Sequence, residues 1–338
     1  MTAQPFRALP KIELHCHLDA CVRVETVADI GREIGLALPE PLEAALVAPE
    51  TCADLFDYIS RIDLALQVMQ RPEDLTRIAR EAVEDMARDG VIHGELRFAP
   101  QLHTRRGLRP EQVLEAVHRG VAAGAEKHGV SIGLIVCCLR HQTSEQSLAV
   151  AQLAIAHRPI VCALDLAGDE ARHTDVEPHA PAFDHARRAG LSVTAHAGEN
   201  AGASSVRQAI ERLGAARIGH GVRIVEDAAL CERVVAHGIA LDMCPRSNVQ
   251  TRAVESLASH PIDRLLTRGA RVTVSTDGRT VSRTTVGEEF ERLAGQFGWG
   301  LREFWACQRN AARAAFVSDE TREELLARIQ RASLAAEV

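Results

Sequence analysis

The sequence predicts an α/β fold, an eight-stranded (β/α)₈ barrel with a helical insertion after its first strand, on three observations. From residue 91 onward, short apolar runs alternate with helical patterns of roughly ten to fifteen residues, the signature of repeated βαβ units. Counting the run that begins at Lys11, eight such strands occur, and most are continuous apolar stretches, as expected for parallel strands buried on both faces. Residues able to bind a metal or move a proton stand at the end of nearly every strand, where barrels of this kind place their chemistry. That last feature favours a closed barrel over a doubly wound open sheet.

The first strand is Lys11-Ile12-Glu13-Leu14 running into His15-Cys16-His17-Leu18-Asp19. Side chains alternate along a strand, so His15 and His17 share one face and Cys16 takes the other. Residues 20–90 contain helical patterns and no strand. The clearest is Glu73 to Arg88, with Leu75, Ile78, Ala79, Ala82, Val83 and Met86 on one stripe. The whole insertion is expected to cap a pocket, with Leu55 to Ile59 as apolar lining. Strands follow at Val91 to Phe98, Ser131 to Leu139, Ile160 to Leu166, Leu191 to His196, Ala216 to His220, Ile239 to Cys244 and Arg271 to Asp277. Helices are expected between them at Pro110 to Ala123, Ser144 to Ala156, Ala182 to Ala189, Ser205 to Leu213, Asp227 to Ala236 and Val254 to Thr267. Further helices between Thr285 and Ala336 end the chain. Gly90, Gly190, Gly214, Gly238 and Gly269 precede strands as helix stops. No repeat or linker divides residues 1–338, which read as one barrel domain.

Composition narrows the function. With 39 Lys and Arg against 46 Asp and Glu, the net charge is -7, which argues against nucleic acid or an anionic membrane and for a small ligand. Nine scattered cysteines without a CxxC pair read as reduced, buried side chains of a cytoplasmic protein. No signal peptide or membrane-length apolar run is evident. Oligomeric state leaves no trace in the sequence.

Fifteen histidines make any single one uninformative, and His118, His128, His157, His179, His185 and His260 read as surface or packing residues. His15 and His17 alone could be a hydrogen-bonded core pair. With His196 and Asp277, each ending its own strand, an N/O-ligated divalent metal becomes the better explanation. A catalytic site with a water position is expected, since zinc lowers the pKa of bound water from about 15.7 to about 7. Glu199, beyond Gly198, is the candidate general acid and base. His220, between Gly219 and Gly221, is the candidate that orients the water.

The blocks His15-Cys16-His17-Leu18-Asp19, Asp165 to Glu170, His196-Ala197-Gly198-Glu199, Gly219-His220-Gly221, Cys244 to Asn248 and Ser275-Thr276-Asp277 resemble the adenosine deaminase family, in family order. The resemblance implies one Zn²⁺ per subunit, bound by His15, His17, His196 and Asp277. It implies hydroxide attack at C6 of a 6-aminopurine nucleoside, Glu199 protonating N1, and His220 holding the hydroxide. It also implies that Gly168 N–H meets purine N3 and that Asp19 accepts from a ribose hydroxyl. Two positions depart from the family pattern. Ala20 stands where Gly is usual. Gly278 stands where a second acidic residue usually addresses N7, leaving Arg279 or Ser282 as substitutes, and Gly278→Asp is expected to improve adenosine recognition. Adenosine or deoxyadenosine is the expected substrate. Alternatives are aminodeoxyfutalosine, adenine, and AMP with Arg23 as its phosphate partner, or a barrel that binds nucleoside without turnover. A two-metal hydrolase is disfavoured because Lys11 and Lys127, the only lysines, end no strand. The other zinc deaminase design, HxE with PCxxC, is met only by His93-Gly94-Glu95.

Overall fold

The computed structural model describes residues 6–336. Its strands are β1 (Lys11–His17), β2 (Val91–Phe98), β3 (Ser131–Leu139), β4 (Val161–Ala167), β5 (Ser192–Ala197), β6 (Arg217–His220), β7 (Ala240–Met243) and β8 (Arg271–Val274). Each pairs in parallel with the next, in the order β1 to β8. Between β1 and β2 lie α1 (Val24–Glu33), α2 (Leu42–Leu46), α3 (Leu55–Ser60), α4 (Asp63–Val68) and α5 (Pro72–Arg88). The next five crossovers carry α6 (Pro110–His128), α7 (Ser144–Ala156), α8 (Ala180–Arg188), α9 (Ala203–Glu211) and α10 (Ala228–His237). Helices α11 (Pro245–Gln250) and α12 (Ile262–Thr267) join β7 to β8, and α13 (Val286–Phe297), α14 (Leu301–Ala314) and α15 (Asp319–Ala336) follow. Among the described residues, no helix is long and apolar enough to cross a membrane.

The barrel closes where its first and last strands meet. Cys16 and Asp277 form a parallel bridge, His17 N–H donates to Asp277 O at 2.7 Å, and Asp277 N–H donates to His15 O at 3.0 Å. Three of the predicted metal ligands are therefore tied together by backbone hydrogen bonds of the seam itself. Asp277 turns to φ 66° to make these bonds, so β8 ends at Val274 rather than continuing to Asp277 as the apolar run suggested.

Two other expectations change. The helix expected over Val254 to Thr267 is a 3₁₀ turn, Leu257–Ser259, followed by α12 alone. Pro261 accounts for the break, because it lacks an N–H and its ring excludes a preceding helical turn. Helix α5, read as part of the cap, instead joins the outer ring: its apolar stripe is buried and Thr76 Oγ1 donates to the α6 carbonyl of Ala116 at 2.9 Å. The part of the insertion that reaches the pocket is narrower, with Leu55, Tyr58, Ile59 and Ile62 on its wall.

The barrel interior is ionic beneath the site. Arg97 meets Asp165 at 3.0 Å, and Arg217 meets Asp242 at 2.6 Å and also pairs with Glu95. All five side chains are sealed from solvent. Buried charges are tolerated when paired, and these pairs link β2, β4, β6 and β7 across the barrel interior. The pair with Arg217 also occupies Glu95, which removes His93-Gly94-Glu95 from any catalytic role of the HxE kind.

Candidate active site

Alternation along β1 places His15 and His17 together as the spacing predicted, while Cys16 is buried on the other side with its Sγ 3.2 Å from that of Cys21. His196 arrives from β5 and Asp277 from just beyond β8. One ligand atom from each of the four residues lies within 4.8 Å of all the others. His17 Nε2 faces His196 Nε2 at 3.0 Å, and Asp277 Oδ1 lies 3.3 Å from His15 Nε2 and 3.4 Å from His17 Nε2. A tetrahedral ion with bonds of about 2.0–2.1 Å separates its ligand atoms by roughly 3.3 Å, so this spacing suits a single small divalent cation. Neither nitrogen of the buried His15 ring has a hydrogen-bond partner, a state that a metal would resolve.

Electrostatics agree with a metal site. Burial pushes His15 well below its ordinary range and His17 down to about 3, so both imidazoles are neutral. Burial works against the Asp277 carboxylate, but the His15 contact and the neighbouring His220 and His17 rings keep it well below the usual range. Neutral imidazole and ionised carboxylate are the forms that coordinate.

Neighbouring residues aim each ligand. Asp165 lies 3.1 Å from His196 Nδ1, which turns Nε2 of that ring toward the cluster. Arg97 anchors Asp165, and Arg140 Nη2 donates to the His196 carbonyl at 2.8 Å. Ser247 Oγ donates to Asp277 Oδ2 at 2.6 Å, leaving Oδ1 for the metal.

Glu199 and His220 both reach this cluster. The loop carrying Glu199 is wound around the carboxylate of Glu170, which accepts from the backbone N–H groups of Gly198, Glu199, Asn200 and Ala201 at 2.7–2.9 Å. Thr251 Oγ1 donates to Glu199 Oε1 at 2.9 Å. Burial, reinforced by the charges of Asp277 and Glu170, pushes the Glu199 carboxyl well above the usual range. That direction favours the protonated form of the carboxyl. His220 adopts φ 62°, an uncommon conformation for a non-glycine residue, with Nε2 3.6 Å from Glu199 Oε2.

Gly219 explains part of the Gly-His-Gly pattern. A methyl group there would sit 2.8 Å from His15 Cε1. Gly219→Ala is expected to displace the His15 ring and weaken metal retention about tenfold or more. Metal stoichiometry after a chelator challenge checks this, with circular dichroism confirming an intact fold. Full retention of metal would count against it.

Asp19 and Gly168 also line the pocket, and Asp19 Oδ1 is buried with no partner in the protein. Burial raises its carboxyl to about 7. Gly278 is not on the pocket wall. A Cβ at position 278 would lie 2.5 Å from Ala20 Cβ and 3.1 Å from Ala20 O. The proposed substitutes for a side chain there are occupied: Arg279 binds Glu13 and Asp89, and Ser282 Oγ lies 2.6 Å from Tyr58 Oη. Arg23 is likewise not a phosphate partner, because it pairs with Asp85 at 2.8 Å and Glu84 at 3.3 Å. Lys11 lies at the opposite end of β1, donating to the carbonyls of Phe6, Arg7 and Leu9.

Sequence reading assigned no role to Asp165, Glu170, Ser247, Asn248 or Thr251. Four of them fall in or next to the quoted blocks, but only the three-dimensional contacts reveal what they hold.

Three imidazoles turned on one carboxylate form a donor set suited to a divalent cation, and their place at the carboxyl ends of the strands marks this as a metal-binding barrel enzyme of the amidohydrolase type. The chain belongs to the adenosine deaminase family, whose model, described as adenosine deaminase, matches residues 10–332. It is 37% identical over 327 residues to an adenosine deaminase of Clostridium acetobutylicum, covering 95% of this chain and 97% of that one. An adenosine deaminase of Vibrio vulnificus is 38% identical, covering 94% and 97%. Among solved structures, an adenine deaminase from Arthrobacter aurescens superposes with a TM-score of 0.90 at 30% identity, covering 96% of this chain and 99% of that one. A Burkholderia ambifaria amidohydrolase with bound Zn superposes with a TM-score of 0.90 at 26% identity, covering 98% and 93%. The enzyme is thus a deaminase of this family.

Proposed function

We propose that the protein removes the 6-amino group of a neutral purine nucleoside, adenosine or 2'-deoxyadenosine, as ammonia and leaves a 6-oxo group. The observation that carries this reading is the convergence of a four-residue metal cluster, the buried carboxyl of Glu199 and His220 on one pocket. Zinc, one per chain, suits His15, His17, His196 and Asp277, and when bound it supplies a Lewis acid that promotes ionisation of water. Glu199 donates its proton to N1 of the ring, which makes C6 a better electrophile as aromaticity is lost. The carboxylate so formed takes the proton of the hydroxyl added at C6 and passes it to the amino group, which departs as ammonia as the 6-oxo group forms. His220 donates a hydrogen bond toward the attacking oxygen. Gly168 N–H and the Asp19 carboxyl orient the purine and the sugar.

The pocket wall supports a neutral substrate. Its residues are Leu55, Ile59, Ile62, Phe98, Leu102 and Leu139 among others, and none is Arg or Lys. A phosphate entering beside Asp19 would lose its hydration without a cationic partner, a costly exchange. The same apolar wall is the observation that keeps aminodeoxyfutalosine, with its substituted ribose, as the second reading. The adenine deaminase neighbour brings the free base into the comparison.

A parallel assay of adenosine, 2'-deoxyadenosine, adenine, AMP and aminodeoxyfutalosine with the zinc-loaded enzyme tests this. A nucleoside is expected to exceed AMP in kcat/KM by about a hundredfold or more. Equal turnover of AMP would defeat the neutral-substrate reading, and no turnover of any 6-aminopurine would defeat deamination itself.

A further inference from the structure

We propose that His260 and Asn248 act as positioning residues that fix the tautomer of His220, with the backbone N–H of Ile262 as the fixed end of the chain. Ile262 is the first residue of α12, so its N–H has no acceptor within the helix. That N–H donates to His260 Nδ1 at 3.1 Å. An amide N–H can only donate, so Nδ1 of His260 is bare and the ring proton sits on Nε2. His260 Nε2 lies 3.2 Å from Asn248 Oδ1 and donates to it. The Asn248 amide is thereby oriented with Nδ2 toward His220 Nδ1, 3.0 Å away. Nδ2 also can only donate, so His220 Nδ1 is the acceptor and its proton is on Nε2, the nitrogen that faces Glu199.

The chain leaves little freedom at any step. Asn248 is fully enclosed and His260 and His220 are almost so, which denies water as an alternative partner. Pro261 sets the position of the anchor, because it ends the preceding turn and starts α12 beside His260. The break in the expected Val254 to Thr267 helix therefore has a use. An unbroken helix would bond the Ile262 N–H to a carbonyl within it, and the proton on His260 would no longer be specified.

The consequence for chemistry is that His220 presents an N–H to the pocket and no lone pair. It serves as a donor that holds the attacking oxygen in line with C6, and removal of a proton from that oxygen falls to Glu199 once its carboxyl has protonated N1. This step rests on the deaminase reading, whereas the tautomer does not.

Long-range ¹H–¹⁵N spectra of ¹⁵N-histidine-labelled protein test the relay, in the metal-free and zinc-loaded forms. His220 signals are assigned by their loss in His220→Asn. The expected wild-type result is a protonated Nε2 and a bare Nδ1 on His220. Asn248→Asp replaces the only donor with an acceptor and is expected to move the proton to Nδ1, with kcat falling about tenfold or more and KM little changed. His260→Leu is expected to give a mixture of tautomers. His260→Gln supplies an N–H near the position of Nε2 and is expected to restore the wild-type signal.

A proton on Nδ1 of His220 in the wild type would overturn the relay, and that measurement needs no variant to fold. An unchanged tautomer in Asn248→Asp, or in His260→Leu, would overturn it as well. If the tautomer behaves as stated but no purine is turned over, the relay stands and the deaminase reading fails.

Discussion

Glu199→Gln is expected to abolish deamination while leaving zinc at full stoichiometry. Glutamine keeps the shape of the side chain and can still accept from Thr251, whose Oγ1 lies 2.9 Å from Glu199 Oε1. Its amide can donate a hydrogen bond but has no acidic proton to transfer. The wild-type carboxyl, pushed well above its usual range by burial and by the charges of Asp277 and Glu170, stands ready as a donor beside the pocket. Loss of a positioned acid typically lowers rate about 10²–10⁴-fold, and N1 protonation is required before C6 accepts an oxygen nucleophile, so the upper part of that range applies. Loss of adenosine absorbance, followed in parallel with metal content, measures it. Retention of more than about a tenth of the wild-type rate would remove Glu199 from the acid role.

The second large effect concerns positions 20 and 278, and it reverses the expectation from sequence. Gly278→Asp alone is expected to damage the enzyme rather than improve adenosine recognition. Its Cβ would lie 2.5 Å from that of Ala20, far inside contact distance, and the seam beside it holds Asp277. Overpacking of this kind typically costs about 1–3 kcal/mol, and here it would also shift a metal ligand. Ala20→Gly removes the obstructing methyl. Gly278 does not have a positive φ, so the backbone accepts a side chain once the space exists. The double variant Ala20→Gly/Gly278→Asp is therefore expected to recover most of the stability lost in Gly278→Asp, a coupling of about 1–3 kcal/mol. Denaturant melts of the four proteins measure it, and kcat/KM for adenosine follows the same order. Strictly additive effects would show that the two positions do not compete for space.

This pair also explains why two departures from the family pattern occur in one chain. Read one at a time, Ala20 is an unexpected methyl and Gly278 a missing side chain. In the structure, the methyl of one fills the space that the side chain of the other would need.

The eight strands were legible because each is an apolar run bounded by turn residues, and β2, β3 and α7 have the limits that the sequence suggests. The metal group was legible because period-two alternation puts His15 and His17 on one face and because His196 and Asp277 end apolar runs. One break was local: Pro261 stands inside the run whose hydrophobic pattern favoured a single helix, and the proline outweighs that pattern. The other features that failed to show depend on a distant partner. Asp277 left the strand to bond β1. Arg23, exposed to guesswork as an isolated cation, proved to be committed to Asp85 and Glu84 on α5.

The sequence by itself determined the barrel, the identity of the four metal-binding side chains and the kind of chemistry they permit, because strand periodicity and residue type are local properties of the chain. Tertiary structure alone decided how those side chains are aimed. The grip of Asp165 on His196, the loop of Glu199 wound around Glu170, and the chain from Ile262 through His260 and Asn248 to His220 all join residues from separate strands or loops. A hydrogen bond is set by distance and direction in space, and neither is written in the order of residues along one chain.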